Sequence, residues 1–254
     1  VPGLLPPDLS AAAAAGLIGA SFVTSLISAA VGLGGGVAML AILASLLPPA
    51  ALIPVHGMVQ LGSNAGRAAM MARHVDRGTF APFLAGTALG AAAGGALAVA
   101  LSPHWVQIGV GAFILWSIVA TPPAFFRRAA ALTGAISSFL SMFFGATGPF
   151  VAAYVRSLGL DRMAIVATHA TFMTAQHLLK SLAFGVFGFA FAPYLPLIAG
   201  MLLAGFAGTL AGRRVLMRLP EARFRQALNA ILIAVALRLL YLGAQGALGD
   251  AFHP

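Results

Sequence analysis

Residues 31–40 read VGLGGGVAML, with glycine at 32, 34, 35 and 36 inside a stretch otherwise built from Ala, Leu, Ile, Met and Val. Each glycine costs a helix interior about 1 kcal/mol relative to alanine, so this segment is interrupted rather than continuous. Its surroundings decide what kind of interruption it is. The 254-residue chain is 61% hydrophobic and 7% charged, with a mean hydropathy of +1.00. Soluble domains carry about 25% charged residues, so this chain cannot coat a water-facing surface. Apolar runs of about 20 residues recur along it, the length that crosses a bilayer as a helix. They do not alternate polar with apolar residues, which argues against a β-barrel. The chain reads as an all-α polytopic membrane protein.

Pro, Gly and charged residues divide it into eight apolar blocks, about 10–47, 50–72, 78–101, 104–120, 129–158, 162–187, 192–213 and 222–244. Residues 11–31 could mimic a signal peptide, but positive charge is missing ahead of them, so cleavage is not expected. Block five is broken like block one, at residues 143–154, FFGATGPFVAAY. A shift of 113 residues places Gly32 on Gly145, Gly35 on Gly148, His56 on His169 and Arg67 on Lys180. A shift of 114 places Gly86 on Gly200 and Gly94 on Gly208. One gap therefore aligns two glycine breaks, a histidine, a cation and a glycine-spaced helix in the same order. This predicts two repeats, 1–125 and 126–254, in one integrated transmembrane domain.

The net charge of +9 lies largely in short connections, so it is a topology signal before it is a nucleic-acid signal, and no nucleic-acid partner is expected. A cationic patch for anionic lipid headgroups comes with it. Arg73, His74 and Arg77 follow block two, and Arg127 and Arg128 precede block five. Arg156 and Arg162 flank the turn after block five, and Arg213, Arg214, Arg218, Arg223 and Arg225 follow block seven. The connections near Pro48, Pro103 and Phe189 carry no Lys or Arg. If cationic loops are cytoplasmic, block five enters and leaves on the same side, and its pieces, about 129–144 and 149–158, are too short to span singly. Block one would then start and end outside. The expected fold is two inverted repeats, each a broken, re-entrant helical hairpin followed by three transmembrane helices. Broken helices near mid-depth in inverted repeats are a transporter architecture. The first arm, 10–31, is however long enough to span.

A half-helix starting inside the membrane presents unpaired N–H groups and the positive end of its dipole. Two start here, near Val37 and near Phe150, and Pro149 suits a helix start. Facing N-termini of this kind would cradle an anion; the alternative is that the glycines only let helices pack closely. The helices after the breaks carry the polar residues. His56, Gln60, Ser63/Asn64 and Arg67 share one face, and His169, Met173, Gln176/His177 and Lys180 repeat the spacing. None of the five acids, Asp8, Asp76, Asp161, Glu221 and Asp250, lies deep in an expected span. An unpaired intramembrane cation favours an anionic ligand. Snorkelling of Arg67 inward or Lys180 outward competes with that reading. A helix–helix hydrogen bond competes with a ligand or proton role for each histidine. The four-residue spacing of Gly86, Gly90, Gly94 and of Gly200, Ala204, Gly208, Gly212 predicts tight crossings. Trp105 and Trp116 suit interfacial anchoring. Thr168, Thr171 and Thr174 could line a pore, but more often bond back to their own helix.

GLGGG early in the chain, a polar helix about twenty residues on, and a second copy, GATGP, after a dibasic loop resemble the sulfite exporter TauE/SafE family, also called the 4-toluene sulfonate uptake permeases. The resemblance spans about residues 10–245. It implies transport of sulfur-containing anions such as sulfite, sulfonates and sulfoacetate, and carries the glycine motif onto Gly32, Gly34, Gly35 and Gly36, then onto Gly145, Gly148 and Pro149. The second copy has fewer glycines than the first.

The expected function is a secondary transporter in the cytoplasmic (inner) membrane of a bacterium, moving a small sulfur-containing or organic anion by alternating access. The substrate site would lie between the hairpin tips, near His56, Gln60, Asn64, Arg67, His169, His177 and Lys180, with one repeat rocking against the other. Sodium coupling through a carboxylate is disfavoured, proton coupling through His56 or His169 stays open, and the sequence is silent on oligomeric state. A passive anion channel could reuse the same loops. An intramembrane enzyme is the weaker rival, because no acid accompanies the histidines and no GxSxG or HExxH motif appears. Zero cysteines exclude disulfides and thiolate chemistry; no metal cluster and no cofactor are expected.

Overall fold

The computed structural model describes residues 6, 9–31, 35–98, 101–119, 123, 125, 129–215 and 221–252. Gly32, Gly34, Arg127, Arg128 and Arg218 lie outside the described residues, as do the side chains of Arg213, Arg214, Arg223 and Arg225. The described residues form ten α-helices and no strand: α1 (Ala11–Val31), α2 (Gly35–Leu46), α3 (Pro49–Met70), α4 (Phe80–Ala98), α5 (Pro103–Val119), α6 (Ala130–Phe144), α7 (Gly148–Ser157), α8 (Arg162–Val186), α9 (Leu195–Val215) and α10 (Glu221–Phe252). The chain is an integral membrane protein. Among the described residues, three stretches are long and apolar enough to cross a bilayer, Ala11–Ala29, Phe80–Ala98 and Ala192–Gly212.

Local chemistry accounts for the boundaries. Pro48 caps α3 with φ −56° and ψ 143°, and Pro49 opens the helix, where a missing N–H costs nothing. Asp161 caps α8, its carboxylate accepting from the N–H groups of Met163 at 2.8 Å and Ala164 at 2.9 Å. Thr147 precedes α7 and Pro149 is that helix's second residue. At Gly145 the chain turns with φ 81° and ψ −56°, and the Ala146 N–H donates to the Phe144 carbonyl at 3.0 Å. That is a γ-turn with positive φ, a conformation that favours glycine.

Both blocks expected to break do break. The arms of the second hairpin, α6 and α7, have 15 and 10 residues, about 22 and 15 Å at ~1.5 Å per residue, too short to span. The first hairpin differs. Its arm α1 has 21 residues, about 31 Å, close to the thickness of a bilayer core. The excess lies at the end remote from the break, because α1 and α6 finish at Val31 and Phe144, 113 residues apart. The helices after the breaks start in the same register: Gly35 and Gly148 open α2 and α7, and Pro49 and Arg162 open α3 and α8.

The packing is set by small residues. A Cβ on Gly86 or Gly90 of α4 would strike the carbonyls of Ala131 or Ala135 on α6, and one on Gly94 would stand 2.9 Å from the Phe139 carbonyl oxygen. Gly208 and Gly212 of α9 press likewise on the Phe22 and Leu26 backbone of α1, and Gly200 meets the Ile18 side chain. In lipid, where apolar burial gives no drive, such backbone contact is what holds helices together. Residue numbers rise together in both contacts, so α4 runs parallel to α6, and α9 to α1. Helices α3 and α8 cross antiparallel: His56 and Gly57 lie beside His177 and Lys180, whereas Ala68, further along α3, shares a cavity wall with Thr171, earlier in α8. Helices α5 and α10 also pack together. Helix α2 lies in the interior, with Met39, Leu40 and Leu43 fully buried.

Trp105 is 54% exposed, as an interfacial anchor would be. Trp116 does something else: its ring stacks on Phe150 at 5.0 Å and on Phe113 at 5.7 Å, joining α5 to the start of α7.

Candidate functional site

The polar faces of α3 and α8 turn inward and reach both hairpins. His56 lies 3.0 Å through Nε2 from the Gly36 carbonyl oxygen at the start of α2. His169 makes the equivalent contact, 3.2 Å from the Gly148 carbonyl oxygen at the start of α7. A carbonyl only accepts, so each ring donates from Nε2. The cations reach the opposite arms. Arg67 donates from Nη1 to the Ser28 carbonyl at 3.4 Å, in the last turn of α1. Lys180 donates from Nζ to the Gly145 carbonyl at 3.0 Å, at the end of α6. Helix C-termini carry partial negative charge, which favours a cation there. Each long helix thus holds its own hairpin twice, by a histidine on the outgoing arm and a cation on the incoming one.

Neither cation snorkels. Arg67 is 7% exposed and Lys180 is 0% exposed. Asn64 steadies Arg67, accepting from Nη2 at 2.7 Å while its own amide donates to the Gln60 carbonyl at 2.8 Å. The Arg67 Nε is buried without a partner. Both cations donate to neutral oxygens, not to carboxylates.

The glycines expected to touch substrate have separate duties. A Cβ on Gly35 would strike Thr24 and Ser28 of α1, so this residue permits close approach of the two arms. Gly145 is required by its positive φ and by Leu40, whose Cδ1 would stand 2.7 Å from a Cβ there. Gly36 and Gly148 have room: the nearest atoms to an added Cβ are Gln60 Oε1 at 3.5 Å and His169 Nε2 at 3.8 Å. The contact of Gly145 with Leu40 of α2 and Ile53 of α3 also brings the second tip against the first half of the chain.

Polar residues outside the expected site add further ties. Gln176 donates to the Thr147 hydroxyl at 2.7 Å and to the Ser137 carbonyl at 3.2 Å, tying α8 to the second break and to α6. Ser21, Thr24, Ser25 and Ser28 of α1 and Thr133, Ser137, Ser138 and Ser141 of α6 are all buried. The 113-residue shift, carried back into the first arms, pairs six of the eight: Thr24 falls on Ser137, Ser25 on Ser138 and Ser28 on Ser141. Thr171 and Thr174 bond back to the Ala167 and Ala170 carbonyls. Thr168 instead accepts from the Asp76 N–H at 2.9 Å.

A cavity of about 430 Å³ opens beside the Arg67 end of the crossing, lined by Ala68 and Ala72 of α3, Arg77 of the following loop, Phe80 of α4 and Thr171 of α8. Among the described residues, no group of three or more metal-ligating side chains occurs.

No curated protein and no solved structure matches the chain. The model of one family, sulfite exporter TauE/SafE, matches residues 17–239. That match covers most of the chain, which belongs to the sulfite exporter TauE/SafE family of membrane transporters.

Proposed function

We propose that the chain is a secondary transporter that carries a small sulfur-containing or organic anion, of the sulfite, sulfonate or sulfoacetate class, across the bacterial cytoplasmic membrane by alternating access. The site lies where the hairpin tips meet α3 and α8. Gly35, Gly36, Gly145, Gly148 and Pro149 flank the breaks, Gly32 and Gly34 join them by sequence alone, and His56, Gln60, Asn64, Arg67, His169, His177 and Lys180 supply side chains. One observation carries this reading. Arg67, in the last turn of α3, and Lys180, in the middle of α8, are both buried and donate to neutral oxygens. Carbonyls soften an isolated charge but do not cancel it, and removal from water is costly for an ion without a counter-ion. A bound anion supplies the missing charge.

Residues 1–125 and 126–254 act as two inverted repeats in this proposal. The shared register of breaks and helix starts supports it, as do the parallel contacts of α4 with α6 and of α9 with α1. Those contacts also modify the motion. Each hairpin is fastened to a crossing helix of the other half, so the moving bodies are α1, α2, α3 and α9 against α4, α6, α7 and α8, rather than one repeat against the other.

The test is uptake of radiolabelled sulfite into proteoliposomes by wild type, Arg67→Ala and Lys180→Met. A hydrogen bond to a charged group contributes about 1.5–3 kcal/mol, so each variant should need about 10–150 times more substrate for half-maximal flux. Wild-type flux from both, with correct folding shown by gel filtration, would sink the cation site. Faster uptake when the lumen is preloaded with unlabelled sulfite distinguishes a carrier from a channel.

A further inference from the structure

The middle of the α3–α8 crossing holds unpartnered hydrogen-bonding atoms of a particular kind. His56 is fully buried, and its Nε2–H is committed to the Gly36 carbonyl. In a neutral imidazole the other nitrogen is then a bare acceptor, and His56 Nδ1 has no partner. His177, 2% exposed, also has a buried Nδ1 without a partner. The two rings lie 6.0 Å apart, nearly perpendicular. Ser181, 5% exposed, adds an unpartnered hydroxyl. Lys180 passes through the same place: a Cβ on Gly57, next to His56, would stand 3.0 Å from Lys180 Cε and 3.2 Å from Ser181 Oγ.

The His56 ring meets the His177 ring from α8 and the Gly36 carbonyl from α2, while Lys180 and Ser181 of α8 lie against the adjoining Gly57 and the Lys180 ammonium holds the Gly145 carbonyl of α6. In its neutral form, with Nε2–H on the Gly36 carbonyl, the His56 ring presents Nδ1 as an unpartnered acceptor. The site then combines a cation with at least one buried acceptor that only a donor can satisfy.

We infer that this site selects an oxyanion carrying its own hydrogen-bond donor, a singly protonated species such as hydrogensulfite, over one that only accepts. Such an anion accepts from the Lys180 ammonium and donates its O–H to His56 Nδ1, with His177 and Ser181 alongside. A fully deprotonated oxyanion of the same shape satisfies the lysine but sets an oxygen lone pair against the imidazole lone pair. Sites built to hydrogen-bond a substrate hydroxyl reject analogues that lack it far more strongly than apolar pockets reject a misfit. The inference rests on the transporter reading and adds the protonation state of the cargo.

The test compares two competitors of radiolabelled sulfite uptake in proteoliposomes at mildly acidic pH. Methylphosphonate is there a tetrahedral monoanion with one O–H, and methanesulfonate has the same charge and shape without it. Methylphosphonate should inhibit by half at a concentration at least about tenfold lower. In His56→Phe, which keeps a ring in place, the two should become equal within a factor of about two. Equal inhibition of the wild type, inhibition by neither, or a preference that survives in His56→Phe overturns the donor requirement, while sulfite uptake leaves the transporter reading in place. Should His56→Phe fail to fold, the wild-type ratio alone decides. Absence of sulfite uptake by wild type fails the transporter reading itself.

Discussion

Gly145 and Gly148 stand three residues apart in the second break, and their replacement by alanine should have opposite outcomes. Gly145 turns with φ 81° and ψ −56°, where an L side chain costs about 1–3 kcal/mol. Its Cβ would also stand 2.7 Å from Leu40 Cδ1 and 3.2 Å from Ile53 Cδ1. Leu40 is fully buried, so the overpacking adds up to about 1–3 kcal/mol. Alanine restrains the unfolded chain and returns about 0.4–1 kcal/mol. The net loss is about 1–5 kcal/mol, a fall in Tm of roughly 2–20 °C for a chain this long. Gly148 has helical neighbours and nothing closer than His169 Nε2 at 3.8 Å. Alanine there should leave Tm unchanged or raise it by the equivalent of at most about 1 kcal/mol. Tryptophan-fluorescence melts of the detergent-solubilised variants measure both. A Gly145→Ala protein that melts with wild type, or a Gly148→Ala protein that falls as far, refutes the assignment of conformational need to the first and open space to the second.

Gln176→Leu strands the Thr147 hydroxyl and the Ser137 carbonyl and should cost about 1–3 kcal/mol, read as a lower Tm. Asp161→Ala removes the cap of α8; the melt should drop by the equivalent of about 1 kcal/mol, with sulfite flux retained. Gly90→Leu drives a side chain into the Ala135 backbone and should part α4 from α6, seen as aggregation on gel filtration, whereas Gly16→Leu, with no atom within 4 Å of a Cβ, should run as a monodisperse peak.

The breaks, the polar faces and the glycine-spaced crossings were legible because each breaks a local rule: a helix former gives way to glycine, or a charge sits in an apolar run. The roles of individual glycines were not legible. Gly35, Gly36, Gly145 and Gly148 look alike as letters, and only their neighbours separate close approach at Gly35 from positive φ at Gly145 and free space at the other two. Arg67 and Lys180 could be placed on inward faces, yet their acceptors, Ser28 and Gly145, lie 39 and 35 residues away and are backbone carbonyls that every residue type offers. Trp116 fits an interfacial anchor by position alone; its partners Phe113 and Phe150 come from tertiary packing. The buried serines of α1 and α6 pass unnoticed in a small-residue sequence, where a hydroxyl barely alters the hydropathy.

The fastening of α1 to α9 has a consequence for synthesis. The Ser21 hydroxyl donates to the Met201 carbonyl at 2.7 Å across 180 residues of chain, and Gly205 lies against the same serine and Ser25. At about 5–20 residues per second, α1 leaves the ribosome roughly 10–40 s before its partner exists. For that interval its hydroxyl-bearing face has neither α9 nor the finished bundle to cover it. The insertion machinery must shelter it, and a chain that stops before α9 presents that uncovered face to membrane quality control.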